Sequence, residues 1–120
     1  MKVKLGEVVL VDYPYSDGTG SKVRPYVVVQ NDHNNARLHN TVVVMVTSRI
    51  THAESEPTQF LVRSQTPEGL QASFLMDSSV QCENINTVDS SLIRRKIGNL
   101  PSELIDELNQ CLRASLGLST

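Results

Sequence analysis

Apolar residues in this chain fall in short blocks rather than long runs. Val8–Val11 (VVLV), Tyr26–Val29 (YVVV) and Thr41–Thr47 (TVVVMVT) are rich in β-branched side chains, which suit a pleated surface better than a helix. Polar or turn-forming residues bound each block. The pattern predicts strands over Leu5–Tyr13, Tyr26–Gln30 and Thr41–Thr47, the last in the middle of a sheet. A weaker alternation marks Thr58–Arg63, and Ser73–Cys82 is a further strand candidate, bent near Asp77 and Ser78. Pro67, Glu68 and Gly69 read as a turn, polar Asn84–Ser91 as a turn or short helix, and Leu92–Ile97 as a last short strand. The Asn-rich stretch from Asn31 to His39 predicts a connection with room for one helical turn.

The pattern changes near the end. Leu104, Ile105, Leu108, Cys111, Leu112 and Leu116 recur at helical spacing on one face, predicting a helix over Pro101–Leu116 that closes the core or a subunit interface. Pro101 suits the first helical position, Glu103 complements the helix dipole, and Gly117 is a natural stop. Short strands followed by one helix predict a mainly β fold, a small barrel or sandwich, rather than a parallel α/β sheet.

The 120 residues suit one domain, 1–120, with one core. With 39% hydrophobic and 20% charged residues and no apolar stretch near the ~20 that span a membrane, the chain reads as soluble and cytoplasmic. Glu7 and Asp12 bracket the first apolar run, and no small-residue cleavage site follows it. Cys82 and Cys111, far apart in sequence, read as two buried thiols rather than a disulfide or a metal pair.

A net charge of −2 argues against binding nucleic acid through the whole surface. The charges are unevenly placed, however. From Ser21 to Arg49 the basic residues are Lys22, Arg24, Arg37 and Arg49, beside His33 and His39, and the one acid is Asp32. A local patch of this kind suits a phosphate backbone, although a solvated face has the same composition.

That segment begins in the stretch Tyr13–Asp32, where Ser16, Asp17, Gly18, Thr19, Gly20 and Ser21 form a glycine loop ahead of Lys22, Arg24 and Pro25. A loop held by a rigid strand is where binding groups concentrate, and a plain solvated hairpin is the alternative. No Gly-Lys-Ser/Thr leads into a helix, so the loop does not belong to a nucleotide-binding motif.

The order GEVVLVDYPY, glycine loop, VRPYVVVQND, VVVMVTSR, SSVQCENINTVD and IGNLPSELIDELNQCLRASLGL resembles the PemK/MazF family of toxin–antitoxin ribonucleases over nearly the whole chain. The most specific elements are the Arg-Pro pair opening a strand, the Thr-Ser ending the next, the Val-Asp after a polar turn and the Ile-Gly-x-Leu before the last helix. The resemblance implies an SH3-like β-barrel with a C-terminal helix and a homodimer. It also implies metal-independent cleavage of single-stranded RNA with no cofactor. A cognate antitoxin would block the site with an acidic tail, and DNA would be reached only through that antitoxin.

Metal-free RNA cleavage needs a base for the 2′-OH, a cation for the charge on phosphorus and an acid for the leaving 5′-oxygen. A guanidinium forks onto two phosphate oxygens, which makes Arg24 the candidate cation. By the resemblance, Arg24 falls on the family's catalytic arginine and Thr47 on its catalytic threonine. Candidate RNA-binding residues are Tyr15, Asp17, Ser21 and Lys22 at the loop, Ser48 and Arg49 after Thr47, and Glu83. Tyr13, Tyr15 and Tyr26 are the candidate stacking platforms for bases. Gln81 stands where some members carry an arginine, which leaves Arg24 as the strong cation, and the loop lacks the acid of the best-known pattern. Two alternatives are a non-catalytic SH3-like binding module and a gyrase-poisoning toxin of the same fold group. The C-terminal Gly117-Leu118-Ser119-Thr120, without an aromatic residue, speaks against the latter.

Overall fold

The computed structural model describes residues 2–118, so Met1 and the C-terminal Ser119 and Thr120 lie outside it. The elements run β1 (Glu7–Pro14), β2 (Ser21–Val28), α1 (Asp32–Arg37), β3 (Asn40–Thr47), β4 (Gln59–Val62), α2 (Pro67–Ala72), β5 (Ser78–Asp89), β6 (Ile93–Asn99) and α3 (Ser102–Leu116). One turn of 3-10 helix, Ser90–Leu92, joins β5 to β6. Among the described residues, no helix is long and apolar enough to cross a membrane.

The strands form one antiparallel sheet in the order β4-β5-β3-β2-β1-β6. The chain is thus mainly β with a C-terminal helix, as expected, but strand pairing does not close the barrel: β4 and β6 are edges. A helix bridges them instead. The end of α2, which follows β4, packs on β6 so closely that a Cβ at Gly98 would stand 2.6 Å from the Ala72 carbonyl oxygen. Glycine alone permits that approach. The Ser73 hydroxyl then donates to the Ile97 carbonyl and fixes the contact.

The unbroken apolar blocks follow from the sheet being covered on both faces. Val8, Val27, Val44 and Val46 pack with Phe60, Val80 and α3, whereas Val9, Val11, Tyr26, Val28 and Val43 pack with Val88 and Ile93. Neighbours in one strand serve different cores, so the polar half of an ordinary alternation is missing. Against the first core, α3 buries Leu108 completely, together with Cys111. Pro101 caps that helix rather than opening it, its carbonyl accepting the Leu104 and Ile105 N–H groups at 3.0 Å. Gly117, at φ 68°, ends it in the left-handed region.

Four more expectations change. Asn84–Ser91 is no turn or helix: β5 continues to Asp89. Cys82, Glu83 and Asn84 bulge without a partner on β3, after which Ile85–Asp89 pair with it again. Ile85 and Val88 each reach a core, which holds this polar segment in the sheet. The strand candidate Ser73–Cys82 begins only at Ser78, because Ser73 takes the left-handed conformation that ends α2. Pro67–Gly69 opens that helix, with Thr66 accepting the Gly69 N–H at 3.1 Å. Finally, β2 starts at Ser21, so Arg24 lies within a strand and the loop shrinks to residues 15–20. The Asn-rich connection does hold a short helix, α1, capped by Asn31. Buried Asn35 ties it down by accepting the Thr41 hydroxyl at 2.7 Å.

Carboxylates pin several loops. Asp77 accepts the Ser64 N–H and an Arg63 N–H, both at 2.9 Å, and Asp32 accepts the Leu5 N–H at 2.7 Å. The Ser64 N–H first, and then Arg63, hold the Asp77 carboxyl below its ordinary value of 3.8. Asp32 is lowered as well, chiefly by the Leu5 N–H, and Asp89 chiefly by that of Ser91. Their folded values lie below the unfolded ones. The stability they contribute is therefore complete above the unfolded value and lost as pH falls through the folded one. Thermal unfolding should shift to lower temperature as pH drops below about 4, and Asp77→Asn should flatten that decline. An unchanged slope in the variant would refute this role for Asp77.

Candidate active site

β2 and β3 pair only from Tyr26–Met45 to Val28–Val43 and then part. Pro25 has no N–H with which to extend the ladder. The same register, continued past Tyr26 and Met45, would set Pro25 against Val46 and Arg24 against Thr47. Those ends instead open into a cleft of about 1150 Å³ lined by Arg24 and Thr47 together with Lys22, Ser48 and Arg49.

The lining is electrostatically one-sided. Lys22, Arg24, Arg49, Arg95 and Lys96 border the cleft, and Asp, Glu and His do not. Lys96 approaches Glu7 at 3.6 Å, whereas the other four have no acidic partner among the described residues. Arg24 is consequently not the sole strong cation, as the glutamine at position 81 suggested. Arg95 and Lys96 do not stand out in the sequence because they lie in an ordinary-looking basic run, Arg94–Lys96, far along the chain. Only the pairing of β6 beside β1 brings that run to Arg24.

Thr47 is held in a useful orientation. Its hydroxyl oxygen accepts the Arg49 N–H at 3.2 Å, leaving its own hydrogen to donate elsewhere. Arg24 is half-buried beside Tyr26, whose phenol is pushed up by burial first and by Tyr13 next, with the Arg24 charge acting in the opposite direction. Gln81 also lines the cleft, and its side-chain oxygen accepts from the Asn84 amide at 2.7 Å.

Other candidates stand apart from this cluster. Asp17 accepts the Thr19 N–H and hydroxyl at 3.0 and 2.7 Å, bonds that shape the hairpin and lower its carboxyl pKa, the N–H most. Tyr15 is exposed at the hairpin tip, and Ser21 sits at the hairpin base opposite Pro14. Glu83, in the β5 bulge, accepts the Thr58 hydroxyl at 3.0 Å. None of the four borders the cleft. Tyr26 is 4% exposed and stacked on Tyr13 with ring centroids 6.1 Å apart, so it has no free face for a base. Among the described residues, no His, Cys, Asp and Glu cluster could hold a metal ion. Cys82 and Cys111 are both buried and unbridged. Their mutual hydrogen bond, followed by burial, pushes the Cys82 thiol up.

The comparisons with known proteins agree with one another. The family model of PemK-like, MazF-like toxins of type II toxin–antitoxin systems matches residues 4–116. Endoribonuclease EndoA of Bacillus subtilis (strain 168) is 31% identical over 119 residues, spanning 98% of this chain and 97% of its own. Endoribonuclease MazF of Staphylococcus saprophyticus is 28% identical over 125 residues, spanning 98% and 94%. Among solved structures, an endoribonuclease in complex with its cognate antitoxin from a mycobacterial species matches with a TM-score of 0.76. The match covers 98% of each chain at 21% identity, which is a likeness of fold. The match to the family model, with the EndoA likeness running end to end, establishes that the chain belongs to the PemK-like, MazF-like toxins of type II toxin–antitoxin systems.

Proposed function

We propose that the chain is the toxin of such a system, a single-domain cytoplasmic endoribonuclease that cuts single-stranded RNA in the cleft between β2 and β3. The observation that carries this reading is the Arg24 guanidinium, without an acidic partner among the described residues, sharing a basic cleft with the oriented Thr47 hydroxyl. In the reaction the 2′-oxygen bonds to phosphorus and the bond to the 5′-oxygen breaks. The first oxygen loses a proton and the second gains one, leaving a 2′,3′-cyclic phosphate and a 5′-OH. Negative charge accumulates on the non-bridging oxygens. Arg24 forks onto them and Thr47 donates its remaining hydrogen, so stabilisation is greatest when the charge is greatest.

Lys22, Ser48 and Arg49 then hold the RNA backbone near the scissile phosphate. Tyr15, Asp17 and Ser21 belong to a hairpin able to meet the bases outside the cleft. The same acid-free basic lining suits the acidic tail of a cognate antitoxin, and a homodimer completes the assembly on this reading.

The test is a digestion of long single-stranded RNA in excess EDTA, beside the same sequence made with 2′-deoxy sugars. Discrete RNA fragments ending in cyclic phosphate, with the deoxy strand intact, are the expected result. No cleavage of several diverse RNAs would overturn the ribonuclease reading.

A further inference from the structure

β6 carries three consecutive cations, Arg94, Arg95 and Lys96, and the structure treats them differently. Arg94 is tied to Asp12 at 3.2 Å and Lys96 approaches Glu7 at 3.6 Å. Arg95 has no acidic partner among the described residues, is exposed, and borders the same cleft as Arg24. Its position follows from strand pairing. Arg95 stands opposite Leu10 on β1, and Leu10 stands opposite Pro25 on β2, the residue after Arg24. Two strand spacings therefore separate the backbones beneath the two arginines, about 10 Å. Leu10, Pro25 and Arg95 share a face in this ladder, Arg24 starts from the opposite face as the residue next to Pro25, and all four border the cleft.

Arg24 and Arg95 leave opposite faces of the sheet on strands two apart, so an extended RNA strand crossing the cleft meets them at successive phosphates. We propose that Arg95 is a second phosphate clamp, gripping a flanking phosphate of the RNA strand and setting the strand's path across β2, β1 and β6. This rests on the ribonuclease reading above. It makes Arg95 a positioning residue for the extended substrate, while Arg24 and Thr47 act at the reacting phosphate. The contact is with the backbone, so it is indifferent to base sequence. Because β6 lies two lanes away in the sheet, a substrate too short to reach it gains nothing from Arg95.

The experiment compares wild type, Arg95→Ala and Arg95→Lys. Binding is measured with a fluorescent oligonucleotide that carries a 2′-deoxy sugar at the cleavage site and so binds without being cut. Affinity is followed across salt concentrations, and KM and kcat are measured on the cleavable all-RNA form. Arg95→Ala should weaken binding about tenfold at low salt and reduce the slope of log affinity against log salt by about 0.7, the release expected for one single-strand phosphate. KM should rise in step with kcat nearly unchanged, and Arg95→Lys should restore most of the slope. A merely structural arginine would leave the salt slope alone. An unchanged slope and affinity in Arg95→Ala overturns the clamp, even where the wild type cuts RNA normally. Failure of the wild type to cut RNA instead overturns the underlying function, while the binding measurement still reports on Arg95.

Discussion

Replacing Arg24 with alanine should lower the rate of RNA cleavage by roughly 10²- to 10³-fold, the usual cost of removing one preorganised donor from a site of developing charge. The guanidinium forms no ion pair among the described residues, so its removal strands no buried partner. The variant should keep the circular dichroism and unfolding midpoint of the parent. The loss should fall on kcat more than on KM, because Arg24 is argued to act most strongly when charge peaks on phosphorus. Arg24→Lys should rescue poorly, since an ammonium is a point charge and does not fork onto two oxygens. Single-turnover cleavage of one defined oligonucleotide settles it. A folded Arg24→Ala enzyme within tenfold of wild type would remove Arg24 from the chemistry.

The second large effect concerns the fold. Leu108 has none of its surface exposed and anchors α3 to the core built from Val8, Val27, Val44 and Phe60. Leu108→Ala should cost about 2–5 kcal/mol, combining lost transfer energy with the cavity left behind. Domains of this size are commonly stable by about 5–15 kcal/mol, so the variant would lose a large share of its margin. Urea unfolding should show a lower midpoint at an unchanged m-value. Leu108→Met, which nearly conserves volume, should cost less than about 1.5 kcal/mol. If alanine were tolerated with a shift no larger than that of methionine, α3 would not be the cover of this core.

The comparison of these two sites shows where sequence reasoning succeeds. The β-branched blocks and the helical stripe of α3 are read directly, because burial on a sheet or along one helix face imposes a period on neighbouring residues. Arg24 and Thr47 stand out because one lies just ahead of such a block and the other ends one, and the resemblance implies a role for each. Asn84–Asp89 was misread because its apolar anchors, Ile85 and Val88, go to different cores and leave a polar-looking segment. The short helix at Pro67 was hidden by residues that serve turns and helix starts alike. Arg95 could not be singled out. Three adjacent cations look equal in a sequence, and what distinguishes them is that Asp12 and Glu7, more than 80 positions away, neutralise two of the three. Asp17 has a local task that the sequence does not announce: its carboxylate accepts the N–H and hydroxyl of Thr19 two residues on.

The bridging of the two sheet edges by α2 gives one wall of the cleft a special freedom. The arm from Arg63 to Asp77 leaves the sheet from β4 and returns through β5, strands that are already neighbours. It also supplies Phe74, Leu75 and Met76 to the cleft, with Leu75 94% exposed. Lengthening or shortening this arm beyond its Gly98 contact would reshape the rim while leaving the β1–β2–β3 register untouched. On the proposed reading, the part that grips the phosphate and the part that meets the rest of an incoming chain are thus mechanically separable, and a change of target can be made in the arm without rebuilding the site.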